Sequence, residues 1–293
     1  MSYIDDCNLI YEQVYNAEYA AQLLKRRKQD KNRKKDARKK AVDETYLRVM
    51  VLYSADIAAG TLDVKDIWNA IAAVHKRFAA DLGSLAIPPA IQDQVIKQVE
   101  ASRQSWVRTS GLSFERFIMN TVNAAAKITA LGVRLVTPSD LKKLLDANGL
   151  HNDPGDLLWV GALDESFDLY VVQNAFGRDF VVGCIQAKTS IRDRVGRDQP
   201  FSQQAMAHHF WSVAVTLDGD FLRNPLFANM VNGMAGTQYP QNGWHGMYAM
   251  ARTTNNDRIY KVDESFSLLI DHLEAAVTKR MANAGTFDST WKA

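Results

Sequence analysis

Asp168-Leu169-Tyr170-Val171-Val172 and, one turn later, Val181-Val182-Gly183-Cys184-Ile185-Gln186-Ala187-Lys188 decide the reading of this chain. Both segments are runs of β-branched and apolar residues, the pattern of strands buried on both faces. Each carries one ionisable residue at an end: an acid opens the first and a lysine closes the second. A lysine at the tip of such a strand is costly unless an anion waits beside it. The intervening Asn174-Ala175-Phe176-Gly177-Arg178-Asp179 reads as a turn, and a single hairpin fits the spacing.

Working outward, strands are expected at 157–163, 167–173, 179–188, 211–217 and 246–252. Thr137-Pro138-Ser139-Asp140 starts a helix that Gly149 closes. Further helices are expected at 200–210, begun at Pro200, and at 264–283. Upstream, 113–131 forms a helix whose stripe runs through Phe114, Phe117, Ile118, Val122 and Ile128, after a break at Arg108-Thr109-Ser110-Gly111. Before that break the chain reads as helices: 5–24, 41–59, 90–107, and 63–82 with Asp63 as its N-cap. The expected architecture is therefore α/β, a mixed central sheet flanked by helices behind a mainly helical N-terminal part. Residues 1–107 would form that helical part and 108–293 the catalytic core.

The chain has 293 residues, 47% of them hydrophobic and 10% aromatic, which suits a well-packed soluble protein rather than a disordered one. No apolar run reaches the roughly 18–20 residues that span a bilayer. The acidic N-terminus lacks the basic-then-apolar order of a signal peptide, and the two cysteines, Cys7 and Cys184, lie far apart in ordinary surroundings. A reducing cytoplasm is the simplest setting. Net charge is +2, but residues 25–40 alone carry +9, leaving −7 for the remainder. That separation suits an anionic partner, nucleic acid being the usual one, or else a solvated helix face or arm. Lys25, Arg26, Arg27, Arg33, Lys34 and Lys35 are the candidate backbone contacts, with Arg197 further on.

Positions two apart on a strand share a face, so Gln186 and Lys188 project together. Acid, then Gln-x-Lys, is a layout suited to holding a divalent ion beside a phosphate. Phosphodiester hydrolysis needs such a cation, plus a positive group to steady developing charge. Asp168 would ligate the metal, Lys188 would sit by the attacking water, and the Gln186 amide oxygen could add a weaker ligand. Glu115, on the margin of the apolar stripe of its helix, could supply a second negative charge. After Lys188 come Ile191-Arg192-Asp193-Arg194 and Gly196-Arg197-Asp198. Arginine forks suit guanine O6 and N7 and an aspartate accepts from cytosine N4, so Arg192, Asp193 and Arg194 could read G·C pairs, or else pair among themselves in a turn.

Asp168…Gln186-x-Lys188 followed by Thr189-Ser190-Ile191-Arg192-Asp193-Arg194 resembles the PD-(D/E)XK superfamily, within it the type II restriction endonucleases that read CCGG-like or CC-x-GG-like palindromes. Ser110-Gly111-x-x-Phe114-Glu115 is similar to the helix that carries an accessory glutamate there, and the likeness spans roughly 108–215. The resemblance implies catalysis by Asp168 and Lys188, a metal-associated Glu115, base reading by Arg192, Asp193 and Arg194, Mg²⁺, double-stranded DNA, a symmetric homodimer and a bacterial cytoplasm. Two departures stand out. Gln186 replaces the usual acid, and Phe167 rather than proline precedes Asp168, which leaves Asp156 of Pro154-Gly155-Asp156 as a rival. A repair or junction nuclease of the same fold and a non-catalytic DNA-binding protein are the alternatives.

Other constellations carry less. Adjacent His208 and His209 diverge by about 100° on a helix and lack a ligand partner at metal spacing. No phosphate-cradling glycine loop or nucleophile elbow occurs. Residues 233–245 read as a partly aromatic loop that could touch flanking bases.

Overall fold

Ser2 closes a capping box with Asp5 and so starts α1 (Tyr3–Leu23). The structure, a computed structural model, describes residues 2–24, 30–80, 92–162, 166–189, 195–283 and 285–293. Its contacts divide the chain into Met1–Phe117 and Ile118–Ala293. In the first unit α1 lies against α2 (Asp30–Leu52) and α4 (Val64–Ala80), with the short α3 (Ser54–Ala58) between them in sequence. Cys7, Tyr11, Ala41, Tyr46, Ile67, Ile71 and Phe114 are fully buried there, and the Tyr46 ring meets Trp68 edge-on at 4.4 Å. A polar thread crosses this core: Tyr11 Oη lies 2.9 Å from His75 Nδ1, and Ser105 Oγ lies 3.1 Å from Nε2. The basic run from Asp30 onward is the start of α2.

The expected break at 108–111 does not occur, because α5 runs unbroken over Gln92–Ala124. A Ser-Gly pair costs a helix interior on the order of 1 kcal/mol, less than the burial of Ser110, Ser113, Phe114 and Phe117 along that helix secures. The true interruption falls at Ala125, which precedes α6 (Ala126–Ala130).

The second unit is built on a sheet of six strands in the order β1 (Val133–Val136), β2 (Leu169–Ala175), β3 (Arg178–Lys188), β4 (Trp211–Asp218), β5 (Gly246–Ala251) and β6 (Ile259–Lys261). β1, β2 and β3 pair antiparallel and β3 through β6 pair parallel, so the sheet is mixed. Between them run α7 (Pro138–Asp146), α8 (Pro154–Ala162), α9 (Val195–Ala207) and α10 (Pro225–Asn232), and α11 (Ser267–Ala282) follows β6. The β2–β3 hairpin closes on Phe176 and Gly177, both at positive φ (54° and 75°), the geometry that follows the strands' natural twist. A bulge at Val182 lets Val181 and Cys184, three positions apart, enter one apolar cluster with Tyr170, Val172 and Phe210. Gly183 has no room for a side chain, since a Cβ there would lie 2.6 Å from the Trp211 carbonyl.

Several expectations need correction. Residues 157–163 were expected as a strand, yet Pro154–Ala162 is helix α8: Leu157-Leu158-Trp159-Val160 is apolar without alternation, and Asp153 caps it by accepting from the Gly155 amide at 2.8 Å. α9 begins at Val195 and carries Pro200 inside it. β1, β6 and α10 had no counterpart in the sequence reading. The 233–245 segment is loop throughout, as expected, and ends in the buried Trp244 and His245. Both cysteines are buried and free, and burial pushes the Cys7 thiol up to about 12.

The C-terminal residues are strapped across β5 by buried polar groups. Arg258 donates to the carbonyls of Thr290 and Trp291, and Asn242 Nδ2 donates to that of Ser289. His245 accepts from the Ser212 amide at Nδ1 and donates from Nε2 to the Asp288 carbonyl. With one ring nitrogen accepting, the imidazole is held neutral, and burial lowers its pKa from 6.5 to about 4. A histidine depressed in this way binds its proton more readily unfolded. Stability is therefore full above pH 6.5 and falls as pH drops towards 4, by at most roughly 3 kcal/mol from this group. Thermal unfolding followed across that range should show the decline in the parent protein and a flatter one in His245→Gln; identical slopes would remove His245 from the explanation.

Candidate active site

The hairpin register opposes Leu169 and Ile185, and the Asp168 amide donates to the Ile185 carbonyl at 3.0 Å. That fixes the start of β2 beside the end of β3. Lys188 Nζ lies 2.7 Å from both Asp168 Oδ1 and Oδ2, and the Ala187 amide donates to Oδ2 at 2.7 Å. The two side chains are 13% and 17% exposed, so most of their surroundings are protein while one side meets solvent. A carboxylate that accepts a backbone amide and a bifurcated ammonium is held in one orientation. Phe167, fully buried, anchors the chain just before it.

Gln186 projects with Lys188 but inward, at 0% exposure. Its Oε1 accepts from Trp244 Nε1 at 2.8 Å, and its Nε2 donates to the carbonyls of Asp198 (3.1 Å) and Ser166 (3.3 Å). Two carbonyls demand the donor end and an indole demands the acceptor end, so the amide's orientation is fixed by its partners. The oxygen expected as a weak metal ligand is already engaged.

The remaining expected residues are scattered. Asp156 sits on α8 with its Oδ1 3.3 Å from His208 Nδ1, and the Trp159 ring stacks on that imidazole at 4.7 Å. His208 precedes the start of β4, whereas Lys188 pairs with Thr216 near its end, a separation of roughly 16 Å along the strand. Asp156 therefore lies towards the opposite end of the sheet from the Asp168–Lys188 pair. His209 turns away from its neighbour, its Nδ1 2.9 Å from the Phe287 carbonyl. Glu115 is half-buried on α5 in the first unit. Of the basic residues, Arg33 and Lys34 are half-buried on α2, Lys35 is exposed, and Lys34 pairs with Asp30 at 3.7 Å. Arg197, 72% exposed, lies 3.9 Å from the Asp198 carboxylate. Lys25, Arg26 and Arg27, and the Arg192-Asp193-Arg194 reader, fall outside the described residues.

Asp198, quoted in the sequence reading but given no role there, is a buried acid at this end of β3. It stands ten positions beyond Lys188 in the first turn of α9, and only the tether through Gln186 reveals its neighbourhood. Among the described residues no three His, Cys, Asp or Glu side chains gather as a metal site. The chemistry of Asp168 still fits a hard divalent cation, because magnesium commonly takes one or two protein carboxylates and fills its shell with water and phosphate oxygens. No described helix is long and apolar enough to cross a membrane.

Comparison with known proteins places this geometry. The family described as BsaWI restriction endonuclease type 2 matches residues 160–284, which hold the hairpin's active end, α9 and the parallel strands. The crystal structure of the pre-specific restriction endonuclease BsaWI–DNA complex is similar over 100% of this chain and 99% of that one, at 30% identity and a TM-score of 0.65. That of the specific restriction endonuclease AgeI–DNA complex shares the fold over 91% of both chains, at 19% identity and a TM-score of 0.52. No curated protein matches the chain. An acid and a lysine paired at the common end of a hairpin, on a mixed sheet shared along the whole chain with BsaWI, make this a member of the BsaWI family of type II restriction endonucleases, a site-specific deoxyribonuclease that binds DNA.

Proposed function

We propose that the enzyme cuts double-stranded DNA at a short palindrome with a CC/GG core, as a Mg²⁺-dependent homodimer of a bacterial cytoplasm, leaving 5′-phosphate and 3′-hydroxyl ends. The observation that carries the reading is the half-buried Lys188 ammonium chelated by Asp168 at the solvent-facing end of β3. Residues 108–293 would form the catalytic core and 1–107 its helical accessory. Asp168, with Glu115 as a second carboxylate, would hold the Mg²⁺, which supplies charge neutralisation of the scissile phosphate and a more acidic attacking water. Lys188 would shift from bridging both oxygens of Asp168 to facing a phosphoryl oxygen, steadying the charge that develops there. Gln186 then acts by holding β3 in place through Trp244, Ser166 and Asp198 rather than by ligating.

Recognition is assigned to Arg192, Asp193 and Arg194, with the forks on guanine and the acid on cytosine. Supporting this is their distance of only four to six residues from Lys188: a mismatched base that displaced the reader would also displace the lysine. Lys25, Arg26, Arg27, Arg33, Lys34, Lys35 and Arg197 would contact phosphates, and a palindrome read twice by one reader calls for a two-fold dimer.

Sequencing the ends of a plasmid digest made with Mg²⁺ tests the whole reading; fragments with a common CC/GG site are expected, and ends without a shared sequence would overturn it. Lys188→Ala and Asp168→Ala should lower cleavage by roughly 100- to 1,000-fold or more while duplex binding persists; retained cleavage in either would dismiss the pair. Gln186→Glu would turn a carboxylate oxygen onto two carbonyls in a dry site, so a destabilisation of about 1–3 kcal/mol is expected in denaturant titration, with no gain in cutting. A stable and more active variant would instead make position 186 a metal ligand.

A further inference from the structure

We propose that Lys39 of α2 and Arg116 of α5 form a clamp for one backbone phosphate of the DNA, with Asp43 aiming the arginine. Lys35, Lys39 and Asp43 follow at four-residue intervals and so share one face of α2. Arg116 reaches that face from α5: its Nη1 donates to Asp43 Oδ2 at 2.6 Å, while the Ser113 hydroxyl donates to Oδ1. Both oxygens of Asp43 are thus engaged, and one arm of the guanidinium is pinned. The other N–H groups of Arg116 make no hydrogen bond to a described residue, and Lys39 makes neither a hydrogen bond nor an ion pair among the described residues.

Lys39 is half-buried beside this pair, and that burial and the charge of Arg116 hold its pKa below the ordinary lysine value, with Asp43 and Asp36 opposing the shift. Lys35, exposed one turn away, adds to the repulsion. Cations crowded together while the nearest carboxylate is already bonded are relieved by an anion placed between them. A pinned guanidinium fork beside an ammonium point charge suits a phosphate's tetrahedral oxygens. Arg116 also follows Glu115 directly on α5, so a phosphate held by the arginine would fix the backbone next to that carboxylate. The clamp rests on the DNA-cutting reading for the nature of its ligand, but on none of the chemistry assigned to Asp168 and Lys188.

The test is anisotropy of labelled duplexes with the full chain in chelator, one duplex carrying a site the enzyme cuts and one of unrelated sequence, between about 50 and 200 mM salt. Lys39→Gln and Arg116→Gln should each weaken binding several-fold on both duplexes and reduce the slope of log affinity against log salt by about 1, while Lys39→Arg keeps the slope. Lys39→Gln breaks no bond of the fold, so it decides the matter even where Arg116→Gln unfolds through the loss at Asp43. Unchanged affinity and slope in Lys39→Gln overturn the clamp while the parent enzyme still cuts; a parent that neither binds nor cuts DNA overturns the nuclease reading with it.

Discussion

A lysine amine at the end of a buried strand must find a counter-charge, and nearly everything around the active end of this protein follows from how that need is met. Lys188 finds Asp168, which precedes the antiparallel neighbour strand, and the Ala187 amide secures the same carboxylate. The pair forms only if β2 and β3 meet in one register, and the tight Phe176-Gly177 connection sets that register. A slip of one residue would turn Lys188 to the other face and leave Asp168 without it. The bulge at Val182 absorbs the one residue by which the two strands differ, so the apolar positions nearer the turn still face their cluster.

Behind the ion pair lies a polar seam. The register puts Cys184, Gln186, Ser212, Ala214 and Met247 on one face of the sheet, where two apolar clusters are packed, one gathered around Cys184 and Phe210, the other around Trp244 and Met247. Gln186 and the Ser202–Ser212 hydroxyl pair (2.7 Å) run between them. A buried amide with every donor and acceptor matched costs little and fixes geometry, whereas a half-matched one would be worse than a methyl group. The seam ties α9, and with it the chain emerging from the segment after Lys188, to the strand that carries the lysine.

The hairpin and its two charges were legible in the sequence because they are local: apolar runs, a turn and one ionisable residue at each end. The helical and mixed-sheet class was legible for the same reason. What was hidden depends on distant partners. Nothing near Gln186 announces that Trp244, 58 positions on, occupies its oxygen, and Asp198 gains its place only through that amide. β6 has three residues and β1 four, too short for a periodicity to emerge. Residues 157–162 are apolar at every position but the glycine, so a buried helix and a buried strand read alike until Asp153 and Pro154 are taken as a cap and a first turn. Ser110-Gly111 looked like a stop because propensity was weighed without the tertiary burial that overrides it.

The strapped tail, largely exposed itself, carries the acceptors of a buried charge. Most proteins tolerate ragged ends, since terminal residues usually contribute little. Here loss of the Thr290 and Trp291 carbonyls would leave a guanidinium that is 8% exposed with the His245 carbonyl, 3.4 Å from Nη1, as the one remaining acceptor for those arms among the described residues. A chain cut before Thr290 should therefore be lost by unfolding rather than persist as a shortened active form.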